Sequence, residues 1–245
     1  MPFSTIIAAF RSVITYVAIV VYILLAAPLA LVLGGIFRWK RGMYALGHAG
    51  AGLGMALAGI RYRVAGRENV PPTAVVFCSN HESNVDPAVL FNCLDPLLHI
   101  LYKAELRSIP IMRTVFDVGG FVPVDRRDRE KSMESISAGA ASLRAGNSFL
   151  IFPEGTRSRS GELLPFKKGG FIMALQAQVP VVPVAIRGGR DAMRKGSAIV
   201  RPVRVSVRIG RPVPTAGLTV DDRDQLIARV RKEVEKLLRA DPLWN

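Results

Sequence analysis

Between Arg11 and Arg38 the chain carries no charged residue. The intervening run, VITYVAIVVYILLAAPLALVLGGIF, is long enough as a helix, at about 1.5 Å per residue, to cross a hydrocarbon core of roughly 30 Å. It fits a cleaved signal peptide poorly. It is too long, only Arg11 precedes it, and no small-x-small site separates it from a polar mature chain. Pro28 lies inside it and predicts a kink. A basic knot follows, Arg38, Lys40 and Arg41, and then a second weakly polar stretch, GMYALGHAGAGLGMALAGI. Gly50 and Gly54 form a GxxxG pair, with Gly47 and Ala51 nearby. That spacing suits two helices packed closely in lipid, although a glycine-rich turn has the same composition. If both segments crossed a bilayer, the knot would face away from the rest of the chain, against the positive-inside tendency. The expected arrangement is a kinked helical pair embedded from one face, or one span with the second helix lying along the membrane. The knot then meets anionic headgroups.

From about Arg61 the pattern changes to that of an α/β domain. The short apolar runs AVVFC (74–78), FVPV (121–124), SFLIF (148–152), VVPVAI (181–186) and VRVSVRI (203–209) read as buried strands. Helical spacing separates them at Pro87–Leu94, Lys131–Ala145 and Gly170–Gln178. The prediction is a mixed, mostly parallel sheet flanked by helices. Residues 1–60 form a membrane-associated helical motif and residues 61–245 the α/β domain. Thr219–Ala240 predicts an amphipathic helix with Thr219 as cap and Asp222 completing the box. A formal net charge of +14 calls for an anionic partner. Two separated cysteines and three scattered histidines offer no disulfide framework and no zinc pattern.

Two constellations carry chemistry. In FCSNHESNVDPAVL, His81 follows a strand and Asp86 precedes Pro87, which reads as helix cap and first helical residue. A carboxylate on one imidazole nitrogen fixes the tautomer and makes the other a general base for a hydroxyl. Taken alone, the pair also fits a surface histidine and a plain helix cap. In FPEGTRSRSG, Glu154, Gly155, Thr156 and Arg157 emerge after another strand, on the same sheet edge if the strands are parallel. Gly155 permits close backbone approach, and Arg157 offers a planar fork for phosphate. Alone, this also fits an exposed arginine-rich turn. PFKKGG adds Lys167 and Lys168 before a helix, a further anion-binding corner.

With these motifs in order, the chain resembles the glycerolipid acyltransferases. NHESNVD matches their N-H-x-x-x-x-D motif and FPEGTRSRSG, followed by FKKGG, their F-P-E-G-T-R-S motif. GGFVPVDR and VPVVPVAIRG look like the second and fourth motifs of that family. The likeness is greatest to the bacterial 1-acyl-sn-glycerol-3-phosphate acyltransferases of the PlsC type, and it thins after about Arg190. It implies a glycerol-3-phosphate acyltransferase-like fold and transfer of an acyl group from acyl-CoA or acyl carrier protein to the sn-2 hydroxyl of lysophosphatidic acid. In that reading His81 is the base and Asp86 orients it. Lys103, Arg126, Glu154, Gly155, Thr156 and Arg157 bind substrate, and no metal or redox cofactor takes part. The implied setting is the cytoplasmic face of the inner membrane. Anionic lipid would be held there by a basic surface that includes Arg187, Arg190, Arg194, Lys195, Arg201 and Arg204. The rivals are another lysolipid acceptor on the same machinery, an acyl-enzyme on Cys78, a catalytically dead lipid-binding relative, and a membrane-tethered nucleic-acid binder. No nucleic-acid-binding motif is readable, and no nucleic acid is expected as a partner.

Overall fold

The computed structural model describes residues 3–95, 97–125, 128–158, 160–193, 196–240 and 243–244. Its centre is a seven-stranded sheet of β1 (Arg61–Ala65), β2 (Val76–Ser79), β3 (His99–Lys103), β4 (Val122–Val124), β5 (Phe149–Ile151), β6 (Val181–Arg187) and β7 (Arg204–Ile209), in the order β1-β7-β6-β2-β5-β3-β4. β6, β2, β5, β3 and β4 are mutually parallel, so their C-terminal ends share one edge. β7 runs antiparallel to β6, and β1 pairs parallel with β7. The sheet is thus mixed and mostly parallel, as expected. β2 and β5 are buried at every position, which is why they read as continuous apolar runs rather than alternating ones.

Helices cover both faces: α1 (Phe3–Leu31), α2 (Lys40–Ala58), α3 (Asp86–Cys93), α4 (Pro110–Gly119), α5 (Arg129–Arg144), α6 (Gly169–Ala177) and α7 (Arg223–Arg239). Phe77, Val182 and Leu150 on one face pack with Met55 and Ala58 of α2 and with Val89 and Leu90 of α3. Phe149 and Val181 on the other face pack with α5, α6 and α7 through Leu143, Phe171, Leu226 and Val230. Every residue of the two cores just named is at most 5% exposed, and burial of this kind supplies most of the driving force for a fold. α7 enters through a short 3-10 turn, Val220–Asp222. Thr219 and Asp222 form the predicted capping box there.

The N-terminal helices form an antiparallel pair. α1 continues through Pro28, and the break comes later, in a π-helical turn at Val32–Ile36. The glycines of α2 are contact points. A Cβ on Gly50 would lie 2.6 Å from the ring of Tyr22, and one on Gly54 would lie 3.1 Å from Ile19. Tyr22 Oη donates to the Leu46 carbonyl at 2.7 Å, stitching the helices at the same level. Gly47 faces Phe91 of α3 instead, so α2 is wedged between α1 and the α/β body.

The pair lies along that body rather than projecting from it. Near one end, Ser12 Oγ accepts from the Val200 amide at 2.8 Å, and Tyr16 Oη donates to the Ala198 carbonyl at 2.6 Å. Near the other, Tyr44 Oη donates to the Gly119 carbonyl at 3.1 Å, and a Cβ on Gly34 would press on Val118. The outward side of α1 is apolar and uncovered, with Phe10 69% and Leu25 74% exposed. Among the described residues, Thr5–Ile36 is the one helical stretch long and apolar enough to cross a membrane, and only 11% of its apolar 18-residue window is buried.

This packing makes a direct prediction. Gly50→Leu should lower stability by about 1–3 kcal/mol through overpacking against Tyr22. Gly35→Ala, where an added Cβ meets nothing within 4 Å, should leave it near the parent. Thermal unfolding in a neutral detergent measures both.

Candidate active site

The parallel strands deliver the candidate residues to a single edge. β2 ends at Ser79 and His81 follows. β5 ends at Ile151 and leads into Phe152–Arg157, and β3 ends at Lys103. A short carboxylate-centred turn then shapes the β2–α3 loop. Asp86 is 0% exposed, and its Oδ2 accepts from the His81 ring at Nδ1 (3.0 Å), the Glu82 amide (2.6 Å) and the Ser83 amide (2.7 Å). The sequence suggested that Asp86 caps α3 from outside. Instead Val85 is the cap residue, and Asp86 is already helical with Pro87 after it. Its side chain turns back into the loop because three donors wait there.

An ionised carboxylate only accepts, so the His81 proton must sit on Nδ1 and Nε2 is left with a lone pair. The imidazole is stacked on Phe152, with ring centroids 4.2 Å apart, and its side chain keeps 16% exposure. It is therefore held on one nitrogen and one face while the basic nitrogen remains reachable.

Glu154 occupies a different place from the one expected of a ligand contact. It is 3% exposed, Oε1 accepts from the His81 amide at 2.8 Å, and Oε2 accepts from the Leu164 amide at 2.9 Å. Burial raises its carboxyl above the ordinary 4.5, and the two amides oppose that. Glu154 thus ties the β5 loop to the β2 loop, and the Ser158 amide completes the tie by donating to the His81 carbonyl. Gly155 has φ +70, a conformation that excludes most side chains. A Cβ there would also strike the Lys167 side chain at 2.9 Å. Around this glycine lies a cavity of about 290 Å³, lined by Leu101, Val124, Phe152, Gly155, Lys167 and the start of α6. Arg157 is half-buried in the same loop, Thr156 is exposed there, and Lys103 is exposed at the same edge. Arg126, Arg194 and Lys195 lie outside the described residues.

On the other side of the loop, α1 and α2 face it across an apolar groove of about 460 Å³. Ile19, Tyr22, Gly54, Asn84, Val85 and Ala88 are among its walls. His81 therefore sits between a basic corner, which it touches through Phe152, and an apolar groove, which its own loop walls.

Four residues escaped sequence reasoning. Asn80 makes a two-way amide pair with the Ile186 backbone, at 2.8 and 2.9 Å, extending the β2–β6 pairing by one step. Ser83 Oγ donates to the Met193 carbonyl. Arg231 on α7 donates to the Leu163 and Leu164 carbonyls, holding the segment that supplies an amide to Glu154. Glu82 is 7% exposed, and the Gly188 and Arg190 backbone favours its ionised form. Only Asn80 carried a signal, as part of the motif. The others depend on contacts between distant segments.

Cys78 is fully buried within β2 and packs into the core on the face of α5 and α6. Burial drives its thiol well above its ordinary value, which disfavours the thiolate that a nucleophile requires.

The acyltransferase family profile matches residues 61–187, more than half of the chain. The chain is 34% identical over 186 residues to 1-acyl-sn-glycerol-3-phosphate acyltransferase of Limnanthes douglasii, covering 75% of this chain and 66% of the relative. It is 34% identical over 185 residues to the human 1-acyl-sn-glycerol-3-phosphate acyltransferase alpha, covering 75% and 65%. The chain thus spans just under two thirds of the length of each of these relatives. Its fold matches the crystal structure of the 1-acyl-sn-glycerophosphate (LPA) acyltransferase, PlsC, from Thermotoga maritima. The TM-score is 0.82 at 24% identity, over 98% of this chain and 99% of that one. The chain belongs to the acyltransferase family.

Glu82 generates a pH prediction. Burial, and then the Asp86 charge, push its carboxyl up to about 7 from 4.5. The folded state therefore binds the proton more tightly than the unfolded chain. The stability this contributes is full below 4.5 and is lost as pH rises through about 7. Glu82→Gln should flatten that part of the melting-temperature profile between these two values. A profile unchanged by the substitution contradicts it.

Proposed function

We propose that this protein transfers a fatty acyl group from a thioester donor, acyl-CoA or acyl carrier protein, to the sn-2 hydroxyl of lysophosphatidic acid. The products are phosphatidic acid and free thiol. The observation that carries this reading is the seating of one oriented imidazole between an apolar groove and a basic corner at a single sheet edge. A lysophospholipid has both characters, an acyl chain and a phosphate, and the named activities of the relatives agree with it.

The steps follow from the side chains. The acceptor hydroxyl gives its proton to His81 Nε2 as its oxygen attacks the thioester carbonyl. The imidazolium formed is balanced by Asp86, whose ionised oxygen already holds Nδ1–H. The tetrahedral intermediate collapses, the C–S bond breaks, and the proton on Nε2 passes to the departing sulfur. General base help of this kind is typically worth about 10²–10⁴-fold. Arg157, with Lys103 and Lys167 at the same edge, binds the acceptor phosphate, and Gly155 lets that group approach the backbone. Glu154 acts through His81 by fixing its amide. The reaction needs no metal or redox cofactor in this scheme.

The same reading sets the membrane arrangement. Both ends of the helical pair touch the α/β body, so a bilayer crossed by α1 would have to hold the body's flank as well. The helices are embedded from one face, the cytoplasmic face of the inner membrane, where the thioester donor is available.

Wild-type protein in liposomes containing lysophosphatidic acid and an acyl thioester should release thiol and phosphatidic acid in equal amounts. His81→Ala should lose at least about a hundredfold in rate. Thiol release without phosphatidic acid would redirect the search to other lysolipid acceptors. Full activity in His81→Ala would end the proposal. Cys78→Ser should retain activity, and a stable acyl-thioester on Cys78 would refute the direct-transfer mechanism.

A further inference from the structure

A second basic site lies on the other flank of the catalytic strand. β7 and β1 run opposite to the five parallel strands, so their N-terminal ends arrive at the edge where β2 and β6 end. There a cleft of about 760 Å³ is lined by Arg11 of α1, Gly59, Ile60, Arg61 opening β1, Pro202 and Arg204 opening β7. No acidic residue lines it. β1 is three positions from β2 in the sheet, roughly 14 Å at the usual strand spacing. The basic corner with Arg157 and Lys103 is on the opposite side of β2, at β5 and β3. The two sites are therefore distinct and share one level.

Arg11, Arg61 and Arg204 line this open cleft, and no carboxylate among the described residues forms an ion pair with Arg11 or Arg61. Arg11 is also the one charged residue in α1. On the same side of the helix, one turn either way, stand Ile7 and Ile14, 50% and 45% exposed. An arginine set in an uncovered apolar helix is costly in lipid without a partner. Guanidinium forks match phosphate oxygens in pairs.

We propose that this cleft binds the headgroup phosphate of an anionic glycerophospholipid, with the lipid's acyl chains lying along α1. The bound lipid is a component of the surrounding bilayer, separate from the acceptor at His81. The assignment to lipid rather than soluble phosphate rests on the continuity of the cleft with the exposed apolar side of α1. It stands whichever acceptor the catalytic site uses.

The fold supplies a reporter. The Arg204 guanidinium lies 5.3 Å from the ring centroid of Trp244, whose Nε1 donates to the Val205 carbonyl at 3.0 Å. The other tryptophan, Trp39, sits in the turn between α1 and α2, and Trp39→Phe leaves Trp244 alone. In that background, full-length protein in neutral detergent is titrated with dihexanoyl phosphatidylglycerol, dihexanoyl phosphatidylcholine and glycerol 3-phosphate. The expected result is a saturable change in Trp244 emission with phosphatidylglycerol only. Arg11→Gln and Arg61→Gln should each weaken it by about tenfold or more. Arg11→Lys and Arg61→Lys keep the charge but lose the paired hydrogen bonds, so they should also bind more weakly, and they serve if a glutamine variant fails to fold. Arg229→Gln/Lys232→Gln on α7 removes two charges on the opposite face of the sheet and should leave binding unchanged. An equal response to phosphatidylcholine or to glycerol 3-phosphate would overturn the assignment. So would an absent response, unchanged affinity in the Arg11 and Arg61 variants, or equal weakening by the α7 pair.

Discussion

One carboxylate oxygen, Asp86 Oδ2, accepts from an imidazole and two backbone amides at once. That convergence closes the β2–α3 loop into a tight turn and sets the imidazole's tautomer in the same act. Removing the carboxylate would free two buried amides as well as the ring, so the loop's shape and the imidazole's orientation are one property. Everything else at the sheet edge is referred to this turn. Glu154 and Ser158 bring the β5 loop to the His81 backbone, Asn80 and Ser83 bind the β6 end and the segment after it, and Arg231 steadies the segment behind Glu154. The β5 loop and the β6 end are thereby locked to the histidine-bearing segment that follows β2.

The helical pair is the second constraint. Glycine at 50 and 54 lets α1 and α2 approach until Tyr22 and Ile19 touch α2 directly. α2 in turn contributes Met55 and Ala58 to the core that contains Phe77 and Leu90. The apolar groove beside the His81 loop exists because this pair is seated on the body; its walls come from both. A freely projecting hairpin would leave the loop facing water.

Much of this was legible in the sequence because it is local. The charge-free run, the GxxxG spacing, the Thr219 capping box and the apolar runs of β2, β5, β6 and β7 all express short-range rules, and each found its element. β1 and β3 were missed because they carry weak versions of the strand signal. β1 alternates Arg61 and Arg63 with apolar residues at the sheet's edge, and β3 begins and ends on titratable residues. α4 begins at Pro110 in a stretch that reads as a connection. Asp86 was read both as the partner of His81 and as the cap of its own helix; the first contact is present and the second is not, because the Glu82 and Ser83 amides behind it take the same oxygen. Glu154 looked like a ligand contact because its motif is polar and ends in arginine. Its true partners are 73 and 10 residues away, and no spacing rule reports them.

The exposed side of α1 has a kinetic consequence. Under the proposed function, a groove that opens beside the exposed apolar side of α1 meets an amphiphilic acceptor by lateral diffusion in two dimensions. The concentration that governs occupancy is then the acceptor's mole fraction in the surface. Adding inert lipid at constant bulk acceptor dilutes what the site encounters, so turnover should follow surface composition while the amount in solution stays fixed.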